Sequence, residues 1–191
     1  MSQNQLSPRA REIVAVAREL LEDEGPGALS MRRVAERLGI RAPSIYKHLA
    51  GKQSLENALV SDGFEELAAV FERAIDGRDP LGALASSYRR FAKEHPHLYR
   101  LMTERPLQRE RLTPGAEERA ALPVLHATGG DQDAARAVWA FAHGMTILEL
   151  DGRFPPDADL DTAWERGLSA FRDYERTPSS SSDVRNSAAS R

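Results

Sequence analysis

Apolar residues recur at helical spacing along almost the whole chain, and the alternation typical of strands never lasts more than a few residues. The sequence therefore predicts an all-α fold. Capping residues and Pro or Gly breakers divide the pattern into about nine helices, and Pro123 is expected to kink or interrupt the seventh. The predicted ranges are 8–24, 30–38, 43–49, 52–76, 80–94, 96–102, 114–128, 131–150 and 160–175.

The first three predicted helices are short and closely spaced. The first opens at Pro8 and stops at a Gly-Pro-Gly sequence, while the second begins at Ser30 and ends at Gly39. The third opens at Pro43, only a few residues later, and is led by small residues. Two short helices joined by a turn of three or four residues that contains glycine predict a helix-turn-helix.

The charge of this region differs from that of the rest of the chain. The 191 residues carry 26 Lys+Arg and 29 Asp+Glu, which gives a net charge of −3. From Ser30 to Lys52, however, six basic residues stand against Glu36 alone, a local charge of +5. A basic segment in an otherwise acidic chain favours DNA binding, because neutralisation of phosphates supplies most of the affinity.

Several other classes of protein are disfavoured. The chain has no cysteine, which excludes disulfides, Cys-ligated zinc, Fe–S clusters and thiol chemistry. It has no long apolar run and no apolar signal region at its start, so we expect a cytoplasmic protein without a membrane partner. No catalytic or phosphate-binding motif is present, so we expect neither an enzyme nor a cofactor or metal. A helical ligand carrier stays possible but leaves the +5 segment unexplained.

Two stretches, LSMRRVAERLGI and APSIYKHLAGKQSL, resemble the TetR family of transcriptional regulators. Within them Tyr46, His48, Lys52 and Leu55 occupy the family's recurring Tyr-x-His-aromatic and Lys-x-x-Leu positions. The resemblance covers about residues 8–60. Farther along, the sequence WAFAHG is similar to the Trp-His-Gly (WHG) signature of one C-terminal subfamily.

The resemblance implies a three-helix DNA-binding domain joined by a long helix to a larger helical domain that binds an effector and dimerises. We expect residues 1–55 to form the first domain, with the start of the connecting helix, and residues 56–176 the second. Residues 177–191 are rich in serine and are expected to be disordered. The expected function is that of a homodimeric repressor, released from a palindromic operator in double-stranded DNA by a small molecule. Nothing in the sequence separates repression from activation.

Two positions depart from the family pattern. Leu49 stands where most relatives carry Phe, which keeps an apolar plug with less ring area. Arg41 stands where many relatives have Ser or Thr as the cap of the recognition helix, so it weakens the cap. Its guanidinium either reads a guanine or contacts phosphate at the groove, or stays a solvated charge.

The candidate DNA contacts lie on and around the third helix. Small residues at its start let the helix enter the major groove, and Lys47 points outward as a candidate for reading bases. Tyr46 is either half-buried core or, as the resemblance implies, bonded to phosphate. His48 either packs under the helix or reaches a phosphate. The candidates are Arg32, Arg41, Ala42, Pro43, Ser44, Tyr46, Lys47, His48 and Lys52.

The larger domain concentrates aromatic and polar side chains, and by resemblance it holds a pocket for a small apolar or amphipathic effector. The alternative is that these side chains only pack the core. Trp139 and His143 are one helical turn apart, and an imidazole on an apolar face needs a hydrogen-bond partner, which a ligand supplies. The candidates are Tyr88, Phe91, Tyr99, Met102, Trp139 and His143.

By the same resemblance, the last two helices form a four-helix bundle with their copies across a dimer axis. Their apolar faces are broad enough for such a contact. The residues expected on these faces are Val138, Phe141, Ala142, Met145, Leu148, Trp164, Leu168 and Phe171.

Overall fold

The computed structural model describes residues 6–175. Over that range it is entirely helical, with no strand, which confirms the predicted fold class. The helices are α1 (Pro8–Glu24), α2 (Met31–Arg37), α3 (Ala42–Ile45), α4 (Lys52–Ala74), α5 (Pro80–Glu94), α6 (Pro96–Thr103), α7 (Ala116–Ala127), α8 (Gln132–Leu150) and α9 (Leu160–Glu175), with a short 3-10 helix, Arg109–Arg111, before α7. The predicted serine-rich tail lies outside the described residues.

Side-chain caps that the sequence reveals begin α1, α2, α5 and α8. Ser7, Ser30, Asp79 and Asp131 each accept the backbone N–H of the residue three positions ahead. These oxygen acceptors satisfy donors that the first turn of a helix leaves without partners. The starts of α1, α2, α5 and α8 therefore lie within one or two residues of the predicted positions.

The third helix is shorter than predicted. It ends at Ile45 rather than Leu49, and a turn follows over residues 46–48. The N–H of His48 donates to the carbonyl of Ile45 at 2.8 Å, three residues back, so the last turn is tighter than an α-helix. This tightening accompanies the burial of Leu49, which is the predicted apolar plug.

Helix α7 continues through Pro123, so the interruption that this residue predicts does not occur. Proline lacks the N–H that an interior helical residue donates. Here Pro123 is buried, and α7 packs along α4. Burial of apolar surface against α4 offsets the missing hydrogen bond.

One hydrophobic core runs from α1–α3 along α4 into the C-terminal helices. Beneath the first three helices it contains Ile13, Val34, Ile45 and Leu49, all buried. Gly63 of α4 allows the close approach of α6, because a side chain there would overlap the sulfur of Met102. Helix α4 thus packs against α1 of the first unit and against α5, α6 and α7 of the second.

Half of the residues expected on the dimer faces are instead buried within the monomer, namely Val138, Ala142, Trp164 and Leu168. The cause is that α8 and α9 pack against α5 and against each other. The indole N–H of Trp164 donates to Glu149 at 2.6 Å, which fixes this side chain inside the chain. Among the helices within residues 6–175, none combines the length and apolar character needed to cross a membrane.

Candidate nucleic-acid interface

The turn between α2 and α3 has a fixed geometry that depends on glycine. Gly39 adopts φ 65°, a left-handed conformation that disfavours other residues. Its N–H donates to Glu36, and the N–H of Ile40 donates to Ala35 at 3.0 Å, so the last carbonyls of α2 are satisfied. The chain re-enters a helix at Ala42 after four residues, as a helix-turn-helix requires.

The candidate DNA contacts of α3 and the following turn lie together on one outer surface, which we call the recognition surface and which comprises residues 41–48. Ile45 points inward from it and is fully buried. Ala42 and Ser44 are half-buried, so small side chains occupy the positions closest to the rest of the domain. The exposed members are Arg41, Pro43, Tyr46, Lys47 and His48.

Two alternatives left open by the sequence are decided by this placement. His48 is exposed, so the interpretation that it packs under the helix is wrong. Tyr46 is more than half exposed, so it is not part of the core. Both side chains are free of the packing that would prevent contact with a partner molecule.

The unpaired positive charge of residues 30–52 is smaller than the count of +5 suggests. Arg33 lies 2.7 Å from Glu24, and Arg37 lies 2.7 Å from Asp23, so both arginines pair with acidic residues at the end of α1. Arg41 and Lys47 form no ion pair with any residue in the range 6–175. Arg41 and Lys47 therefore supply positive charge beside α3 that no acidic side chain of the described residues neutralises.

Two further candidates lie at helix starts next to this surface. Arg32, in the first turn of α2, is largely exposed and lies 3.6 Å from Glu36. Lys52 opens α4, where Gly51 provides no side-chain cap. The uncapped N–H groups of a long helix together with a lysine favour an anion such as phosphate.

In the C-terminal domain, a chain of hydrogen bonds connects three of the six effector candidates. The hydroxyls of Tyr88 and Tyr99 are 3.0 Å apart, and the Tyr99 hydroxyl lies 2.7 Å from Nδ1 of His143. Burial raises the pKa of Tyr88 to about 12 and also raises the pKa of Tyr99, so both phenols keep their protons. Burial lowers the pKa of His143, so its ring is neutral at neutral pH, and Nδ1 of this neutral ring shares a hydrogen bond with the Tyr99 hydroxyl.

Trp139 lies at the His143 end of this series of hydrogen bonds and is exposed to solvent. Its indole stacks on the His143 ring with centroids 5.8 Å apart and is 53% exposed. Phe91 and Met102 are buried and make other contacts, Phe91 with the ring of His95 and Met102 over α4. The six candidates therefore do not line one common pocket.

The sequence analysis did not identify one polar group near these hydrogen bonds, the hydroxyl of Thr146. The hydroxyl of Thr146 is fully buried and has no hydrogen-bond partner within the described part of the chain. It lies beside the Tyr99 hydroxyl, which is hydrogen-bonded to Tyr88 and His143 instead. Thr146 lies at helical spacing from His143, so periodicity places it on the same face, but its lack of a partner is visible only in the structure.

Two cavities of about 360 and 370 Å³ lie away from these aromatic residues. The first lies between α5 and α9, beside Arg89 and Trp164. The second lies where α4 meets the segment before α7, beside Leu49 and Arg111. None of the six effector candidates lines either cavity.

The three-helix unit, with its apolar core and its exposed basic surface, defines a helix-turn-helix DNA-binding protein. Comparison with known proteins identifies its family. Residues 13–59 match the family model of bacterial regulatory proteins, tetR family, and residues 81–171 match that of the tetracyclin repressor-like C-terminal domain. An HTH-type transcriptional regulator of Mycobacterium tuberculosis is 30% identical over 161 residues, which cover 78% of this chain and 72% of the relative. The chain belongs to the TetR family of DNA-binding transcriptional regulators, which are not enzymes.

Other similarities are local or concern the fold. The class C tetracycline repressor protein of Escherichia coli is 45% identical over 47 residues, 25% of this chain and 22% of the repressor. A TetR-family transcriptional regulator from Streptomyces coelicolor superimposes with a TM-score of 0.70 at 22% identity, covering 90% of this chain and 83% of that chain. TetR from Acinetobacter baumannii, solved in complex with minocycline, gives a TM-score of 0.61 at 24% identity over 90% of this chain and 98% of that one.

Proposed function

We propose that the protein is a homodimeric repressor that binds a palindromic operator and leaves it when a small molecule binds the C-terminal domain. The observation that carries the proposal is the recognition surface itself. Its charged and aromatic side chains face outward over a buried apolar support, with Lys47 and Arg41 free of ion pairs among the described residues. In this scheme residues 1–55 bind DNA and residues 56–176 sense the effector and dimerise, in the cytoplasm and without a cofactor.

Within the recognition surface, the proposal assigns different roles to different side chains. Lys47 and Arg41 reach base edges in the major groove, where a lysine or arginine recognises guanine, and Lys47 also neutralises the phosphate beside it. Small residues at the start of α3 allow the backbone to come close to the bases. The residues proposed to hold phosphates are Arg32, Tyr46, His48 and Lys52.

A dimer is proposed because one such unit reads too few base pairs, each worth about 1–3 kcal/mol of discrimination. Two units on a twofold axis, with recognition helices about 34–36 Å apart, meet successive major grooves. Leu148 on α8, one of the residues expected on the dimer faces, supports a contact there because it is open to solvent in the monomer. Large exposed apolar groups of this kind mark interaction surfaces.

The effector is proposed to bind beside the Trp139–His143 stack. Three features support an amphipathic ligand: an exposed indole, a neutral imidazole, and the buried hydroxyl of Thr146 without a partner. An apolar ligand with one polar group would cover the exposed indole and form a hydrogen bond with the imidazole or with the Thr146 hydroxyl. Since these residues line neither described cavity, the ligand must select a rearranged state, and such a preference is what couples ligand binding to DNA release.

Selection of bound duplexes from a random pool tests the proposal. The expected result is a palindrome whose half-sites are about one helical turn apart, because twofold symmetry of the protein imposes that spacing. A reporter gene behind the selected site should then be repressed in the absence of effector. Recovery of no enriched sequence, or of an enriched sequence without symmetry, contradicts the proposal.

A further inference from the structure

Two cations from distant parts of the chain share one buried carboxylate at the start of α4. Lys52 Nζ lies 3.7 Å from Oε1 of Glu56, and Arg105 Nη1 lies 3.1 Å from Oε2 of the same residue. The Glu56 side chain is only 8% exposed, whereas Lys52 is 50% and Arg105 58% exposed. The carboxylate therefore holds two solvent-facing cations side by side.

The segment that carries Arg105 connects α6 to α7 and lies against the DNA-binding end of the molecule. The N–H of Thr113 donates to the Ser61 hydroxyl at 2.9 Å, which ties the end of the segment to α4. Arg111 lines the 370 Å³ cavity together with Leu6 and Leu49, which belong to the helix-turn-helix unit. The C-terminal domain thus extends a basic loop to the start of α4, next to the helix-turn-helix unit.

The charge balance at this point leaves a net positive site. Glu56 contributes one negative charge and Lys52 and Arg105 contribute two positive charges, so the group carries +1. Arg105 uses one of five guanidinium donors on Glu56, and the side chain is exposed enough to offer others to a second acceptor. Arg109, in the same segment, differs because Glu117 binds it through two hydrogen bonds of 2.6 and 2.7 Å.

We propose that Arg105 is an additional DNA contact that, with Lys52, clamps a backbone phosphate of the duplex beside the recognition surface. Glu56 is a positioning residue that orients both cations. A planar guanidinium and a nearby ammonium suit the tetrahedral oxygens of a phosphate. The inference rests on the proposed DNA-binding function and adds a contact from outside the helix-turn-helix.

The test is the salt dependence of binding to the selected duplex. Arg32, Lys47 and Lys52 of two subunits give an expected slope of log affinity against log salt of about −5, at roughly 0.9 per phosphate, and two copies of Arg105 make it about −7. Arg105→Gln should restore a slope of about −5 and weaken binding roughly tenfold or more at low salt, equally for all operator sequences. Arg109→Gln is the matched control and should keep the wild-type slope and affinity.

Arg105→Lys separates charge from structure, because it keeps the cation and should keep a slope near −7. A wild-type slope and affinity in Arg105→Gln overturn the inference while leaving the proposed function intact. The inference is also overturned if Arg105→Lys binds the duplex as weakly as Arg105→Gln does. An equal loss of affinity in Arg109→Gln overturns it as well. If the wild-type protein binds no duplex at all, the proposed function itself is wrong. Thermal unfolding of each variant verifies that the compared proteins are folded.

Discussion

The carboxylate of Glu22 on α1 accepts the backbone N–H of Leu98, the third residue of α6, at 3.0 Å. It also accepts the N–H of His97 at 3.3 Å, and no side chain at the cap position of α6 does so. A residue next to the helix-turn-helix therefore caps a helix of the C-terminal domain. Arg18 extends this contact, lying 3.6 Å from Glu22 and 3.2 Å from Glu66 on α4.

Replacing Glu22 should loosen this connection. Glu22→Ala removes the cap of α6, and the free energy of unfolding should fall by about 0.5–2 kcal/mol, the usual cost of a lost helix cap. Chemical denaturation measures the change. Glu12→Ala on the same helix is the control, because within residues 6–175 the exposed Glu12 pairs with Arg9 alone, and its loss should change stability by less than about 0.5 kcal/mol. Equal stabilities of the two variants would show that the cap contributes nothing.

Adjacent residues of α3 should separate stability from binding. Ile45→Ala removes a fully buried side chain and should lower the free energy of unfolding by about 2–5 kcal/mol. Tyr46→Ala removes an exposed side chain and should leave unfolding within about 0.5 kcal/mol of wild type while weakening DNA binding. Denaturation and fluorescence anisotropy with the selected duplex measure the two effects. A stable Ile45→Ala, or a strongly destabilised Tyr46→Ala, contradicts the described packing.

The pH dependence of stability should report the partly buried imidazole of His143. The pKa of His143 is lower in the folded protein than its ordinary value of 6.5, mainly because of burial, so the unfolded chain binds the proton more readily. Stability should therefore fall as the pH drops below about 6.5 and through the folded-state pKa. His143→Gln removes the titrating group, and its free energy of unfolding should vary less with pH over that window. An unchanged pH profile in the variant would rule out this role.

Trp139 should matter for effector response rather than for folding. Because its side chain is 53% exposed, Trp139→Ala should keep the fold, with a change in unfolding free energy below about 1 kcal/mol, and should keep operator affinity. A small amphipathic compound that releases the wild-type protein from its duplex should release the variant less readily. Leu122→Ala, an exposed apolar position on α7, is the control for nonspecific surface effects. Collapse of the fold in Trp139→Ala would instead identify the residue as core.

The helices and their caps could be predicted because both depend on residues close together in the sequence. Apolar spacing and a serine or aspartate before it locate α1, α2, α5 and α8, and Gly39 marks the turn. The pairing of Arg37 with Asp23 could not, since it depends on the angle between two helices. The buried face of α8 could not be predicted either, because apolar residues surround this helix. Exposed Trp139 directly follows buried Val138.

The central claim, that the recognition surface binds duplex DNA, is tested most directly by the affinity of Lys47→Ala for the selected operator across a range of salt concentrations. Lys47 is exposed and unpaired among residues 6–175, so its removal should weaken binding without affecting the fold, and Arg136→Ala on distant α8 should bind like wild type. The slope for the wild-type protein should be at least as steep as about −5, and that for Lys47→Ala should be shallower. Wild-type affinity in Lys47→Ala, or binding by the wild-type protein that does not depend on salt, would contradict the claim.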